Sequence, residues 1–283
     1  MKKQFPRTTV AGVSLPRILI GSNWMCGYSH TTLAADHGIH KVFAKPQDFF
    51  PIFEAFMVYG VDFVMGNVSQ TPLFSQSVEY AKQKLGRDIY VIDTPIINVS
   101  DSPEARREAE DEIKKSARIG SVFCLLHHSS AEQLVNKNLG LINRLDDYTK
   151  MIRNAGLIPG LSAHMPEIVV YSDKNGYDVE TYIQLYNCLG FLMQIEVESV
   201  SAIIHNAKKP VMTIKPMAAG RTTPYVGLNF CWHTIRPCDM VTVGCFSPEE
   251  VHEDIEISLA ALEGRFPNIE RRSSINKQQA ALG

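Results

Sequence analysis

The chain is 283 residues long, 45% hydrophobic and 20% charged, with 18 glycines and 15 prolines. That is the composition of a folded globular protein, and it excludes a disordered, collagen-like or low-complexity chain. Twenty-eight basic residues against thirty acidic ones leave a formal charge of −2, so the basic footprint of a nucleic-acid binder is missing.

No apolar run reaches the ~18 residues of a membrane span. The basic start, Met1-Lys2-Lys3, is not followed by the apolar stretch of a signal peptide. The six cysteines (Cys26, Cys124, Cys188, Cys231, Cys238 and Cys245) form no C-x-x-C pair. The expectation is a cytoplasmic protein with reduced thiols. Its expected partner is a small-molecule substrate, not nucleic acid or a membrane, and a homo-oligomer is left open.

Short apolar runs alternate with helical patterns along the chain. Strands are expected at 17–20, 62–65, 89–93, 122–127, 158–163, 182–186, 211–215 and 240–244. Helices are expected at 46–59, 73–85, 103–119, 141–155, 197–207, 225–235 and 248–262. Ser102-Pro103-Glu104 and Ser247-Pro248-Glu249-Glu250 combine a cap hydroxyl, an N1 proline and acid in the first turn. Gly60, Gly86, Gly120 and Gly156 close helical runs just before the next strand. Phe49, Phe50, Phe53 and Phe56, with Met57, mark a core face. The charged run 104–115 reads as a solvated face with intrahelical pairs, and the polar loop 28–40 as a lid. Unbroken apolar strands such as Phe123-Cys124-Leu125-Leu126 suit a parallel sheet covered on both sides. Eight strand–helix repeats predict one α/β domain, a (β/α)8 TIM barrel over 1–266, with a polar tail at 267–283.

Several segments in order resemble the aldo-keto reductases. Residues 8–21 (TTVAGVSLPRILIG) are similar to that family's N-terminal β-hairpin and first strand. Gly60-Val61-Asp62-Phe63, Leu125-Leu126-His127 and Gln184-Leu185-Tyr186-Asn187 resemble its second, fourth and sixth strands. Lys215-Pro216-Met217-Ala218-Ala219-Gly220 resembles the end of the seventh, and Val243-Gly244-Cys245-Phe246-Ser247-Pro248 the end of the eighth. The resemblance implies a barrel with a bottom hairpin and NAD(P)-linked carbonyl reduction by a Tyr acid with Lys, Asp and His. The sequence departs from that catalytic set. Met65-Gly66 stands where the Asp belongs, no tyrosine occurs in 67–76, and Asp93-Thr94-Pro95 stands where the Lys belongs. Only His127 matches. A missing general acid removes roughly 10²–10⁴-fold in rate. The strand-eight segment 245–254 also carries no Arg or Lys for a nucleotide phosphate.

TIM-barrel chemistry is done at strand C-termini. These positions hold Asn23, Tyr28 and His30, then Asn67, Asp93, His127, His128, His164, Asn187, Cys188, Lys215 and Cys245. Strand alternation turns Phe123, Leu125 and His127 inward. His127, Asp93 and Lys215 are the expected catalytic residues. Asn23, Tyr28, Gln184 and Asn187 are the expected substrate contacts. His30, His127 and His164 are the expected ligands of a divalent metal, zinc or similar, which the residue types place ahead of NAD(P). Lys215 is either a Schiff-base amine or anion anchor, or a structural strand end. Cys26, Cys188 and Cys245 read as small apolar filler.

Three functions follow. One is an enzyme acting on a small polar molecule at the mouth through histidines, with or without a metal, by hydrolysis, elimination or isomerisation. The second is a divergent NAD(P)-linked reductase that keeps Ser162 and Gln184. The third is a non-catalytic ligand-binding barrel.

Overall fold

The N-terminal hairpin joins β1 (Arg7–Val10) to β2 (Val13–Pro16) through Ala11-Gly12, both with positive φ, the twist that a two-residue hairpin turn requires. In the computed structural model, which describes residues 3–269, eight further strands are parallel and close into a barrel. They are β3 (Ile18–Gly21), β4 (Phe63–Gly66), β5 (Tyr90–Asp93), β6 (Phe123–Leu126), β9 (Ile158–Ala163), β10 (Tyr182–Leu185), β11 (Val211–Ile214) and β12 (Met240–Val243). Between β6 and β9 lies a short hairpin of β7 (Val135–Asn136) and β8 (Leu141–Ile142). Pairing runs round the barrel in chain order, and β12 returns to β3 through Val241↔Ile18 and Val243↔Ile20.

All eight expected barrel strands are present, each within a residue of its expected start and within one of its expected end. Alternation along them separates two cores. Leu19, Phe63, Ile92, Phe123, Leu125, Ile183, Met212 and Met240 fill the barrel, where Val10 and Leu15 of the hairpin join them. Ile18, Ile20, Val64, Val91, Cys124, Leu126, Val211 and Val241 face the helices instead. Burying each large side chain contributes about 1.5–3 kcal/mol, so the inside/outside parity of every strand is strongly fixed.

Ten α-helices surround the strands: α1 (Leu33–Val42), α2 (Phe50–Met57), α3 (Pro72–Leu85), α4 (Pro103–Arg118), the single turn α5 (His128–Ala131), α6 (Leu145–Asn154), α7 (Glu167–Asn175), α8 (Val197–Asn206), α9 (Pro224–Thr234) and α10 (Pro248–Glu263), as counted among the described residues. Ser102 and Ser247 cap α4 and α10 as their sequences predict, accepting from Ala105 and Glu250 N–H. Phe49, Phe53, Phe56 and Met57 are buried, whereas Phe50 is only half-buried, its ring edge-on to Tyr80. The α4 face carries the expected pairs, such as Lys114–Glu110 and Arg107–Glu104.

The loop expected over 28–40 contains α1, started by Thr32, whose hydroxyl accepts from Ala35 N–H. Only Ile39 of this helix is buried, so no apolar stripe announces it. The helix expected over 141–155 starts later, at Leu145, because Leu141–Ile142 pairs in the small hairpin and Arg144 is left-handed. The first expected helix opens with a 3-10 turn, Pro46–Phe49. Among the described residues no helix is long and apolar enough to cross a membrane. The expected tail lies outside the described residues from 270 onward.

Candidate active site

Inward-facing positions at the strand ends, or one step past them, line a cavity of about 370 Å³ at the C-terminal mouth. That volume suits a small organic molecule. Thr94 follows Ile92 inward, His127 follows Leu125, Ser162 and His164 follow the β9 parity, Ile214 follows Met212, and Thr242 follows Met240. Trp24 folds over the strand-eight end, where a Cβ on Gly244 would lie 2.9 Å from the indole Cδ1. The outer wall is therefore aromatic and apolar (Trp24, Tyr28, Ile96 and Met217), and at strand level Thr94, Ser162 and Thr242 alternate with Met65, Ile183 and Ile214. Thr242 Oγ1 is buried there with no hydrogen-bond partner.

Four histidines and Lys215 share this space, and among the described residues no Asp or Glu lines it. The His128 and His164 rings stack at 3.9 Å with 14° between planes, and His127 lies 4.2 Å from His128. Lys215 Nζ donates to His30 Nε2 at 2.8 Å. Both partners have left-handed backbones, φ 59° and 56°, a strained state for non-glycine residues that clusters at functional sites. Ala218 and Ala219, in the loop after Lys215, are left-handed as well.

Burial is the largest cause of every perturbed base here. It lowers His127 to about 4 and His164 to about 3, with neighbouring histidines and Lys215 adding repulsion. His30 and His128 are lowered too; Asp36 opposes the shift at His30 and Glu132 at His128. Burial also draws the Lys215 ammonium down to about 8. Ser129 N–H donates to His127 Nδ1 at 3.3 Å, and the Ser129 hydroxyl also contacts that nitrogen. The neutral ring therefore carries its proton on Nε2. Glu132 is the nearby carboxylate. It accepts from His164 N–H at 2.6 Å and Met165 N–H at 2.8 Å, fixing the backbone that presents His164.

The structure brings together Asn23, Tyr28, His30, Asn67, His127, His128, His164 and Lys215 around the cavity. It does not bring Asp93, Gln184 or Asn187 there. Asp93 is fully buried on the helix side of β5, accepting from Val68 N–H (2.8 Å), Ser69 N–H (3.1 Å) and Ser116 Oγ (2.5 Å). It ties loops together and meets no substrate. Gln184 has the opposite parity to the cavity-lining Ile183. Asn187 folds its own loop, accepting from Leu189 and Phe191 N–H and donating to Phe191 O. Thr94 and Thr242 were missed by sequence reasoning, although extending the strand alternation by one inward step reaches both.

The expected metal trio is not arranged as a ligand set. Among the described residues no group of three or more His, Cys, Asp or Glu is disposed to hold a metal ion. His30 Nε2 already faces an ammonium, His127 Nδ1 is taken by Ser129, and His164 is stacked on His128. The NAD(P) cradle implied by the resemblance fits no better. Ser162 lines the cavity, but Gln184 does not, and the strand-eight loop satisfies itself: Phe246 N–H donates to Glu250 at 2.6 Å. The thiols fit filler roles, with burial raising Cys26 to about 12 and Cys245 well above its usual range.

No family profile matches the chain, and no curated protein does either. Solved structures do match its fold. A Pseudomonas aeruginosa protein described as an aldo-keto reductase superposes with TM-score 0.66 at 10% identity, over 92% of this chain and 98% of that one. An aldo/keto reductase from Klebsiella pneumoniae, in complex with NADP and acetate, gives 0.57 at 16%, over 100% and 94%. An aldose reductase from Giardia lamblia gives 0.54 at 13%, over 90% and 89%. The chain is thus a divergent barrel with the aldo-keto reductase fold.

Proposed function

We propose that this barrel is an enzyme that moves a proton on a small carbonyl compound, isomerising it or eliminating a group from it. One observation carries the reading: a cavity lined by four imidazoles and one ammonium, with no carboxylate in its wall among the described residues. Near pH 7 the lowered histidines are neutral and Lys215 is the cation among them. Neutral imidazoles have a free nitrogen lone pair to take a proton from the carbon next to a carbonyl, while a nearby cation stabilises the enolate that results.

In this reading Lys215 is the electrophile that meets the carbonyl group. His127, held with its Nε2 proton free to donate, steadies the carbonyl oxygen. His164, whose backbone Glu132 fixes, takes the proton from the adjacent carbon. Thr94, Ser162 and Thr242 orient polar groups at the floor, and Trp24 and Tyr28 exclude water above. Neither a metal nor NAD(P) supplies a step.

The test is exchange of substrate protons with D2O, followed by NMR across small keto acids, hydroxy acids and aldehydes. The wild-type protein is expected to exchange at least one class, with the rate falling about 10²–10³-fold in Lys215→Met and 10²–10⁴-fold in His127→Gln. No exchange with any class ends the proposal. The oxidoreductase reading rests on the fold shared with a protein crystallised with NADP. It is tested in parallel by thermal shift with NADPH and NADH.

A further inference from the structure

We infer that Lys215 works covalently, its Nζ forming a Schiff base with the carbonyl carbon of an aldehyde or keto acid seated in the mouth. The inference rests on the proton-transfer reading of the same cavity and specifies how the cation meets the carbonyl. A lysine locked to a carboxylate is a poor nucleophile, because its ammonium is held charged. Lys215 has no such partner in the cavity wall, and its Nζ instead meets an imidazole, His30 Nε2, at 2.8 Å. A nucleophile within hydrogen-bond reach of a base is the signature of covalent catalysis. The burial that lowers Lys215 to about 8 puts a useful fraction of free amine within reach at neutral pH.

The backbone holds this pair in place. Lys215 O accepts from Ala218 N–H at 2.9 Å, Arg221 donates to Ala218 O at 3.1 Å, and the same guanidinium reaches His30 O at 3.3 Å. One arginine therefore ties the lysine loop to the histidine loop. Both residues keep left-handed backbones, a strained state for non-glycine residues.

The step balances without an outside reagent. His30 takes one proton from the Lys215 ammonium. The freed Nζ lone pair attacks the carbonyl carbon, and the carbon–oxygen π pair moves to oxygen, which takes the proton back from His30. The carbinolamine then loses that hydroxyl as water, with a second proton from nitrogen, as the carbon–nitrogen double bond forms. Ammonium and carbonyl become iminium and water, with the positive charge conserved. The iminium then acidifies the neighbouring C–H for the imidazoles.

The experiment is borohydride reduction of the full-length protein with pyruvate, glyceraldehyde or dihydroxyacetone, followed by peptide mapping. The expected result is a reduced adduct at Lys215, rising as pH passes through about 8 and absent from Lys215→Arg. Lys215→Arg keeps the charge and loses the nucleophile, so its deuterium exchange is expected to fall at least a hundredfold. No adduct at Lys215, or labelling spread evenly over surface lysines, overturns the inference. So does exchange in Lys215→Arg within threefold of wild type. Trapping at Lys215 without exchange in the wild type would leave the imine standing and remove the proton-transfer reading.

Discussion

Asp93 and His127 end neighbouring barrel strands, and one residue of parity separates their fates. His127 faces the cavity, whereas Asp93 points back between α3 and α4, where three donors converge on its carboxylate. Asp93→Ala leaves two backbone N–H groups and a serine hydroxyl without their acceptor. Hydrogen bonds to a buried charge are worth about 1.5–3 kcal/mol each, only partly additive, so a loss of about 3 kcal/mol is expected by chemical denaturation. Activity per folded molecule should stay unchanged; a loss below about 1 kcal/mol would show that the tie is not structural. The difference between these residues was readable in the sequence. Alternation from Phe123 and Leu125 turns His127 inward, and the same alternation from Ile92 to Thr94 turns Asp93 outward. A carboxylate at a strand end suggests chemistry by type, and parity is the stronger physical constraint. The pairing of Lys215 with His30 could not be read in this way, since it depends on how two loops 185 positions apart fold toward each other.

At the scale of elements, the strands were legible because burial on both faces leaves unbroken apolar runs. The helices α1 and α7 were not. One buries a single residue, and the other carries β-branched Ile168, Val169 and Val170, which favour strands in isolation. The element that most directly supports the mouth is α9. A Cβ on Gly227 would lie 2.4 Å from Pro216 O and 3.3 Å from Met217 Cα, so this helix packs bare backbone against the loop carrying Lys215. Gly227→Ala gains about 1 kcal/mol of helix propensity. It must also displace a backbone carbonyl, and overpacking of that kind costs about 1–3 kcal/mol. The clash wins: a lower Tm is expected, together with deuterium exchange reduced more than the folded fraction. A Tm equal to or above wild type would show that the loop yields freely and does not hold Lys215.

At the scale of the molecule, gathering depressed bases at one end makes stability depend on pH. The folded state keeps His127 and His164 neutral down to about 4 and about 3, while the unfolded chain protonates them near 6.5. The unfolded state therefore binds more protons as pH falls below 6.5, and stability drops from there until about pH 4–3, then levels. Discounted for solvent at the open mouth, each imidazole contributes on the order of 1 kcal/mol, about 2–4 °C in Tm. Asp254 works in the other direction. Burial raises it to about 7 from 3.8, so its contribution is lost as pH rises through that window. His164→Gln should flatten the fall in Tm between pH 6.5 and 4, measured by thermal melts across that range; an unchanged slope would mean that the histidine is not buried in its neutral form.

The hairpin of β1 and β2 has a consequence for traffic through the barrel. Val10 and Leu15 close the interior from below, 1% and 0% exposed. Among the described residues, the apolar column of Leu19, Phe63, Phe123 and Met240 stands between this plug and the cavity at the mouth. A ligand seated in the cavity is therefore expected to enter and leave at the strand C-termini, past Trp24 and Tyr28. Under the proposed proton-transfer reading, product and substrate share that mouth, so product is expected to inhibit competitively.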